Sequence, residues 1–319
     1  MKKPVVTILR YAILASILIF GFWYLSSHFD TYTRRAKFTP GKVLLLAVLN
    51  LCTIACESTR LRVMLRKLGK DIGPLVSWNM MTLMQAVNHI VLKAGTMSGG
   101  YYLSKRYGVS YNSYIAFVIT YVVVIMLASG ILGLFFSAVF LLSGAQTSPR
   151  IPLFFGAVIL ASAGMIAAAR IRLSIPRLPR LAAHFLESIN TIYSDTGMLA
   201  FLIGVECLYH LTTALRFMTA VSLFSGHTGF LESVVVVTVG NFLRIATIVP
   251  GGIGIAEVAS AWTSGLLGDD AGLSGLSAGL DRLVYILLVM VFGGIGFFSI
   301  TNRSEFHKPT GANLDGSES

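Results

Sequence analysis

Six apolar runs, at about residues 8–25, 42–60, 112–142, 151–169, 198–224 and 281–300, dominate the chain. Each is near or above the roughly 18 residues that a helix needs to cross a hydrocarbon core. Lipid supplies no hydrogen-bond partners, so the backbone must satisfy its own polar groups there. A β-barrel would show short alternating segments instead. The fold class is therefore all-α: a polytopic helical membrane bundle. Hydrophobic residues make up 55% and charged residues 12%, and the mean hydropathy of +0.76 agrees. One transmembrane domain is expected over 1–302, in two halves of about 5–142 and 151–302. A disordered polar tail is expected over 303–319.

Two other apolar stretches are broken. Asn88, His89 and Lys93 lead into Ala94-Gly95-Thr96-Met97-Ser98-Gly99-Gly100. Asn241 and Arg244 lead into Pro250-Gly251-Gly252-Ile253-Gly254, and the run restarts at Ile255 with Glu257. Proline removes a donor and glycine frees the backbone, so unpaired peptide groups collect at such breaks. At membrane depth they are tolerated only against protein or a wet cavity. Segments 75–110 and 231–268 are therefore read as hairpins that dip in and return. The alternative count makes each a complete span.

With the N-terminus inside, the six-span map places about 16 basic residues inside and 5 outside, a positive-inside bias. Arg34, Arg35 and Lys37 are the exception. Both termini are then cytoplasmic, and the hairpins enter from opposite sides, as in inverted-topology repeats. The formal net charge of +11 is assigned to these orienting loops and to anionic lipid heads, not to nucleic acid. Lys2, Lys3 and Arg10 precede an uncleaved first span, since no small-residue cleavage site follows. Residues 181–197 look amphipathic and interfacial.

Charges inside apolar runs face one another or a wet cavity, because each costs about 2.5–3.5 kcal/mol at mid-bilayer. Glu206 and Arg216 are weighed as a pair, although they lie ten residues apart. Glu57 is set near a span end beside Arg60, Arg62, Arg66, Lys67 and Lys70. Asp281 and Arg282 open the last span, where they either mark the interface or contribute to the site. Lys93 and Arg244 each precede a glycine-rich break and have an amide nearby, Asn88 and Asn241. A cation beside open N–H groups suits an anionic phosphate. Glu257 is a counter-charge or a proton site. His89 and His210 are read as satisfied core histidines. Cys52, Cys56 and Cys207 show no metal or redox spacing. No P-loop, GxSxG or HExxH is present, so neither cofactor nor metal is expected.

The segment Pro250-Gly251-Gly252-Ile253-Gly254-Ile255-Ala256-Glu257 resembles the Pro-Gly-Gly-x-Gly-x-x-Glu motif of the lysylphosphatidylglycerol synthase transmembrane-region family, the flippase-like domain proteins. Asp281-Arg282-Leu283-Val284-Tyr285 is similar to the family's Arg-bearing last span. Val91-Leu92-Lys93-Ala94-Gly95-Thr96 departs from the first-half Pro-x-Arg-x-Gly-Glu pattern: lysine replaces arginine, and the proline and glutamate are absent. The resemblance covers about residues 5–300. It implies an inner-membrane protein that moves a lipid or lipid-linked sugar between leaflets. The synthases carry a soluble aminoacyltransferase domain after the membrane region, and none is expected in this sequence.

Three readings follow. The first is a translocase for a phospholipid or isoprenoid-linked glycolipid, more transporter than enzyme. Its head-group residues would be Asn88, Lys93, Gly95, Asn241, Arg244, Gly251, Gly252, Gly254, Glu257 and Arg282. The second is an integral-membrane transferase with a lipid-linked sugar donor. The third is a non-catalytic partner of a soluble envelope synthase or glycosyltransferase.

Overall fold

The computed structural model describes residues 36–91, 93–143, 149–170, 189–190, 193–245 and 254–305, with side chains at all of them except 168–170, 244–245 and 301–305. The expected first span, most of 181–197, Gly251 and Gly252 lie outside the described residues, as does the side chain of Arg244. Every regular element described is helical: α1 Pro40–Lys67, α2 Pro74–Ile90, α3 Ala94–Tyr107, α4 Tyr111–Leu142, α5 Arg150–Arg170, α6 Thr196–Leu223, α7 Phe230–Ile245, α8 Ile255–Leu266 and α9 Ala271–Glu305. Five of them, α1, α4, α5, α6 and α9, are long and apolar enough to span a membrane. Their outer faces show large apolar side chains such as Leu44, Leu142, Leu153, Leu160 and Phe298. That is the surface hydrocarbon can solvate and water cannot. The chain is a multi-pass helical membrane protein.

Each broken stretch holds two short helices. At 1.5 Å per residue, α2 and α3 are about 25 and 21 Å long, and α7 and α8 about 24 and 18 Å. None matches a core of about 30 Å. The arms of each unit pack on each other. In the first unit the approach is close: a Cβ on Gly95 would land on the carbonyl oxygen of Met84. Gly95→Val should therefore force α2 and α3 apart. Size-exclusion profiles in detergent should show loss of the monodisperse protein, whereas Gly156→Val, with open space around it, should keep it.

The second arm of each unit starts from a left-handed residue, Lys93 (φ 55°) before α3 and Gly254 (φ 84°) before α8. The halves share one succession of described elements: a span, a hairpin and a span, α1 to α4 and α6 to α9. Their packing matches too, since α2 lies on α9 and α7 on α4. The equivalent spans α1 and α6 run antiparallel. Lys42 reaches Ser222, Thr53 meets Arg216, Arg60 meets Glu206 and Lys67 meets Asp195. Two equivalent helices in opposite directions are what an inverted repeat requires.

Three boundaries differ from the sequence reading. α1 continues past Arg60 to Lys67, because Arg60 is buried in the bundle rather than set in a basic loop. α9 begins at Ala271, where the Asp270 carboxylate accepts from Leu273 N–H at 3.0 Å, a standard N-cap bond. Asp281 and Arg282 are thus almost three turns inside it. α9 also runs to Glu305, so residues 303–305 are helical rather than part of a disordered tail.

At the end of the bundle formed by the α1 C-terminus and the α6 N-terminus, Lys67 Nζ lies 2.7 Å from Asp195. The Asp195 carboxylate also accepts from Met198 N–H at 2.9 Å and caps α6. These bonds hold it below the usual carboxylate range, the Lys67 bond first.

Candidate functional site

Polar residues on the inward faces of α1 and α6 recur at helical spacing. On α1 they are Asn50, Thr53, Glu57 and Arg60; on α6 they are Glu206, His210, Thr213 and Arg216. Steps of three and four put each set on one stripe. The two stripes face each other in the antiparallel pair, with α9 alongside, and form a continuous buried network.

Its first part centres on Arg216. The guanidinium donates from Nε to one oxygen of Asp281 (2.9 Å) and from Nη2 to the other (2.8 Å). Nη1 donates to Thr53 Oγ1 at 2.9 Å. Asn50 Nδ2 adds a bond to Asp281 at 3.2 Å, and the Arg216 head lies over the Tyr285 ring. The second part centres on Arg60, which donates to Glu206 and Tyr121, while Tyr121 also donates to Glu206. Glu57 lies 3.5 Å from Arg60 and accepts from Gln85 (3.2 Å) and Tyr285 (2.8 Å). Tyr285 therefore joins the two parts. The Glu206–Arg216 pair, open at the level of sequence, is not formed. Ten residues along a helix is about 15 Å, and each group takes its partner from another helix. Nor does Asp281 mark an interface: it is 8% exposed and locked to Arg216.

The two parts are related by exchange of the halves. Arg60 lies 20 residues after the start of α1, and Arg216 lies 20 after the start of α6. Tyr121 and Asp281 each lie ten residues after the start of α4 and α9, and Asn50 and Glu206 ten after the start of α1 and α6. Each arginine thus bonds the tenth-residue group on its own half's last span and reaches across to the other half.

Beside Arg216 lies a cavity of about 80 Å³ between α2, α6, α7, α8 and α9. That is room for several water molecules. Its polar lining includes His89, Arg216, Asn241, Ser260, Asp281 and Arg282. The Arg282 guanidinium contacts both oxygens of Glu257, at 3.0 and 3.2 Å, so α8 and α9 are joined by a charge pair at the cavity edge. Asn241 Nδ2 is buried and has no hydrogen-bond partner among the described residues. An amide donor without an acceptor is costly, and here it belongs to a residue of the cavity wall.

Of the residues singled out from the sequence, Asn241 and Arg282 line the cavity, and Glu257 reaches it through Arg282. Gly254 is the left-handed start of α8. The backbone of Arg244 lies in the last turn of α7. Asn88 is engaged within the first hairpin: its Oδ1 accepts from Thr96 N–H (3.0 Å) and its Nδ2 donates to Thr96 Oγ1 (3.1 Å). Gly95 is buried between α2 and α3, and Lys93 is exposed at the break and is not in the cavity lining. His89 is no isolated core histidine: its Nδ1 bonds Gln85 O at 2.8 Å, its ring lies 5.8 Å from that of Tyr285, and it lines the cavity. The sequence reading passed over Asn50, Thr53 and Tyr121 and gave Tyr285 no role beyond the last-span resemblance, although the three-and-four spacing on α1 was visible.

The sequence model of the lysylphosphatidylglycerol synthase transmembrane region matches residues 7–293. The chain belongs to that family. No curated protein matches the sequence. Membership agrees with the multi-pass architecture and assigns the protein a membrane function connected with lipids.

Proposed function

We propose that this family member is a translocase of the inner membrane, with both termini cytoplasmic, that moves an anionic lipid between leaflets. The cargo is a phospholipid or an isoprenoid-linked glycolipid, and its phosphate enters the cavity at Arg282. The supporting observation is the Glu257–Arg282 pair at the edge of a polar-lined cavity. A phosphate can replace the carboxylate on the same guanidinium with equivalent charge-assisted hydrogen bonds, and the spare Asn241 amide supplies a further donor. The acyl chains stay in lipid while Glu257 is released, so binding exchanges one ion pair for another. Arg244, Gly251, Gly252 and the N–H groups at the start of α8 would complete the cradle, since a helix N-terminus favours anions.

Lys93 would act earlier, as a cation at the first break, with Asn88 and Gly95 holding that break in shape. A non-glycine residue in the left-handed region costs roughly 1–2 kcal/mol. The equivalent residue in the second hairpin is a glycine, so the strained lysine is consistent with selection for its charge.

Translocation of labelled anionic phospholipid in proteoliposomes tests the reading. Arg282→Ala should slow it about tenfold or more, the effect of losing one charge-assisted bond of roughly 1.5–3 kcal/mol, and Glu257→Gln should slow it because no carboxylate then displaces the phosphate from Arg282. Arg282→Ala should also strip co-purifying anionic lipid, detected by mass spectrometry. Wild-type rates in both variants would reject the proposal.

A further inference from the structure

The buried network does not balance its charge. Among the described residues it holds two guanidiniums, Arg60 and Arg216, and three carboxylates, Glu57, Glu206 and Asp281. The Arg282–Glu257 pair at the cavity is neutral in sum and leaves the excess unchanged. One uncompensated negative charge in hydrocarbon is costly, and a proton removes it most simply.

The hydrogen bonds say where that proton can sit. Both oxygens of Asp281 accept from Arg216. Glu57 faces the donors Arg60, Tyr285 and Gln85. Glu206 accepts from Arg60 and Tyr121. Each carboxylate is thus surrounded as an anion would be. His210 is the remaining group. It is fully buried, and Nδ1 lies 2.8 Å from the backbone carbonyl of Glu206 and 3.6 Å from its carboxylate. A carbonyl only accepts, so Nδ1 carries hydrogen. Nε2 is therefore the titrating atom, and it lies 2.9 Å from Ser129 Oγ. A hydroxyl can donate to a bare Nε2 or accept from a protonated one, so the site tolerates either state.

The charged and titratable groups of the buried stripe that includes His210 come from α1, α4, α6 and α9. They are Cys56, Glu57 and Arg60 on α1, Tyr121 on α4, and Asp281 and Tyr285 on α9, besides Glu206, Cys207, Tyr209 and Arg216 on α6 itself. Among the described side chains of α7 the sole charge is Glu232, in its first turn.

We propose that His210 holds the network's compensating proton, and that its occupancy is coupled to an anionic head group in the cavity, so that lipid and proton move together. The link runs from the cavity through Tyr285 to Glu57, Arg60, Glu206 and His210. A phosphate entering beside Arg216 and Arg282 adds negative charge to the same enclosed set and favours a bound proton. By reciprocity the proton favours the phosphate. The coupling rests on the proposed lipid function; the charge state of His210 does not.

Nitrogen-15 NMR of the full protein, labelled at histidine and held in nanodiscs of neutral lipid, tests both parts. The His210 signals are those lost in His210→Gln. The expected result at neutral pH is an imidazolium in the wild type and a neutral ring in Glu206→Gln, where two cations face two anions. A neutral wild-type ring, or an imidazolium that survives the substitution, would overturn the proposal. If Glu206→Gln does not fold, Glu57→Gln makes the same change of charge and carries the same expectation. At the pH where half of His210 is charged, exchange of neutral lipid for phosphatidylglycerol should raise that fraction to about nine-tenths, a tenfold change in proton affinity. No rise would refute the coupling, even where translocation itself depends on Arg282.

Discussion

Arg216→Ala is expected to abolish the folded protein in detergent. The substitution leaves Asp281 8% exposed beside Thr53 and Asn50, with no cation on it. Breaking a buried ion pair from one side costs about 3–5 kcal/mol, a large part of the roughly 5–15 kcal/mol that holds a domain together. Asp281→Ala should cost a similar amount, because it strands the guanidinium instead. Arg216→Lys should rescue little, since an ammonium cannot make the two parallel bonds to Asp281. The double variant Arg216→Met with Asp281→Leu should recover part of the loss, because no charge is left unpaired. The yield of monodisperse protein, and the melting temperature of each variant that folds, rank the four variants against the wild type. If Arg216→Ala alone melts like the wild type, the pair has no structural role.

Arg60→Ala is expected to be as damaging. Arg60 joins α1 to Tyr121 of α4 and Glu206 of α6 and lies against the rings of Tyr121 and Tyr209. Without it Glu57 and Glu206 become two enclosed anions with only histidine and neutral donors near them. Loss of about 3–5 kcal/mol is again expected, and as with Arg216→Ala the stranded group is a carboxylate. Acid should restore Arg60→Ala partly, because protonating either carboxylate removes the stranded charge. Melting temperatures taken from neutral to acidic pH should therefore converge on the wild type for Arg60→Ala. Parallel curves would show that the lost stability comes from packing against the two tyrosines.

The two arginines also mark the limit of what could be read from the chain. Run length fixes the five described spans because hydrocarbon admits few alternatives. The glycines and proline at 95–100 and 250–254 announce the breaks, since they act locally through φ and the missing donor. Asn241, Glu257 and Arg282 are visible as polar groups where apolar ones belong. Their neighbours are not. In the sequence Glu57 falls near a span end, Arg60 among the bases that follow it, and Asp281 at the start of a run where interface and site are both open, because a residue just inside a helix end and one just outside look alike when the end is set by a cap such as Asp270.

The sequence by itself determined that this is a helical membrane protein with interrupted segments, because those properties are periodic or local. Tertiary structure alone decided which arginine meets which carboxylate, that Lys93 sits at the surface, and that His210 adjoins a network with three carboxylates and two guanidiniums among the described residues. Periodicity tells which face a residue occupies. It carries no information on the helix that will cover that face, and in a buried network the covering helix supplies the partner.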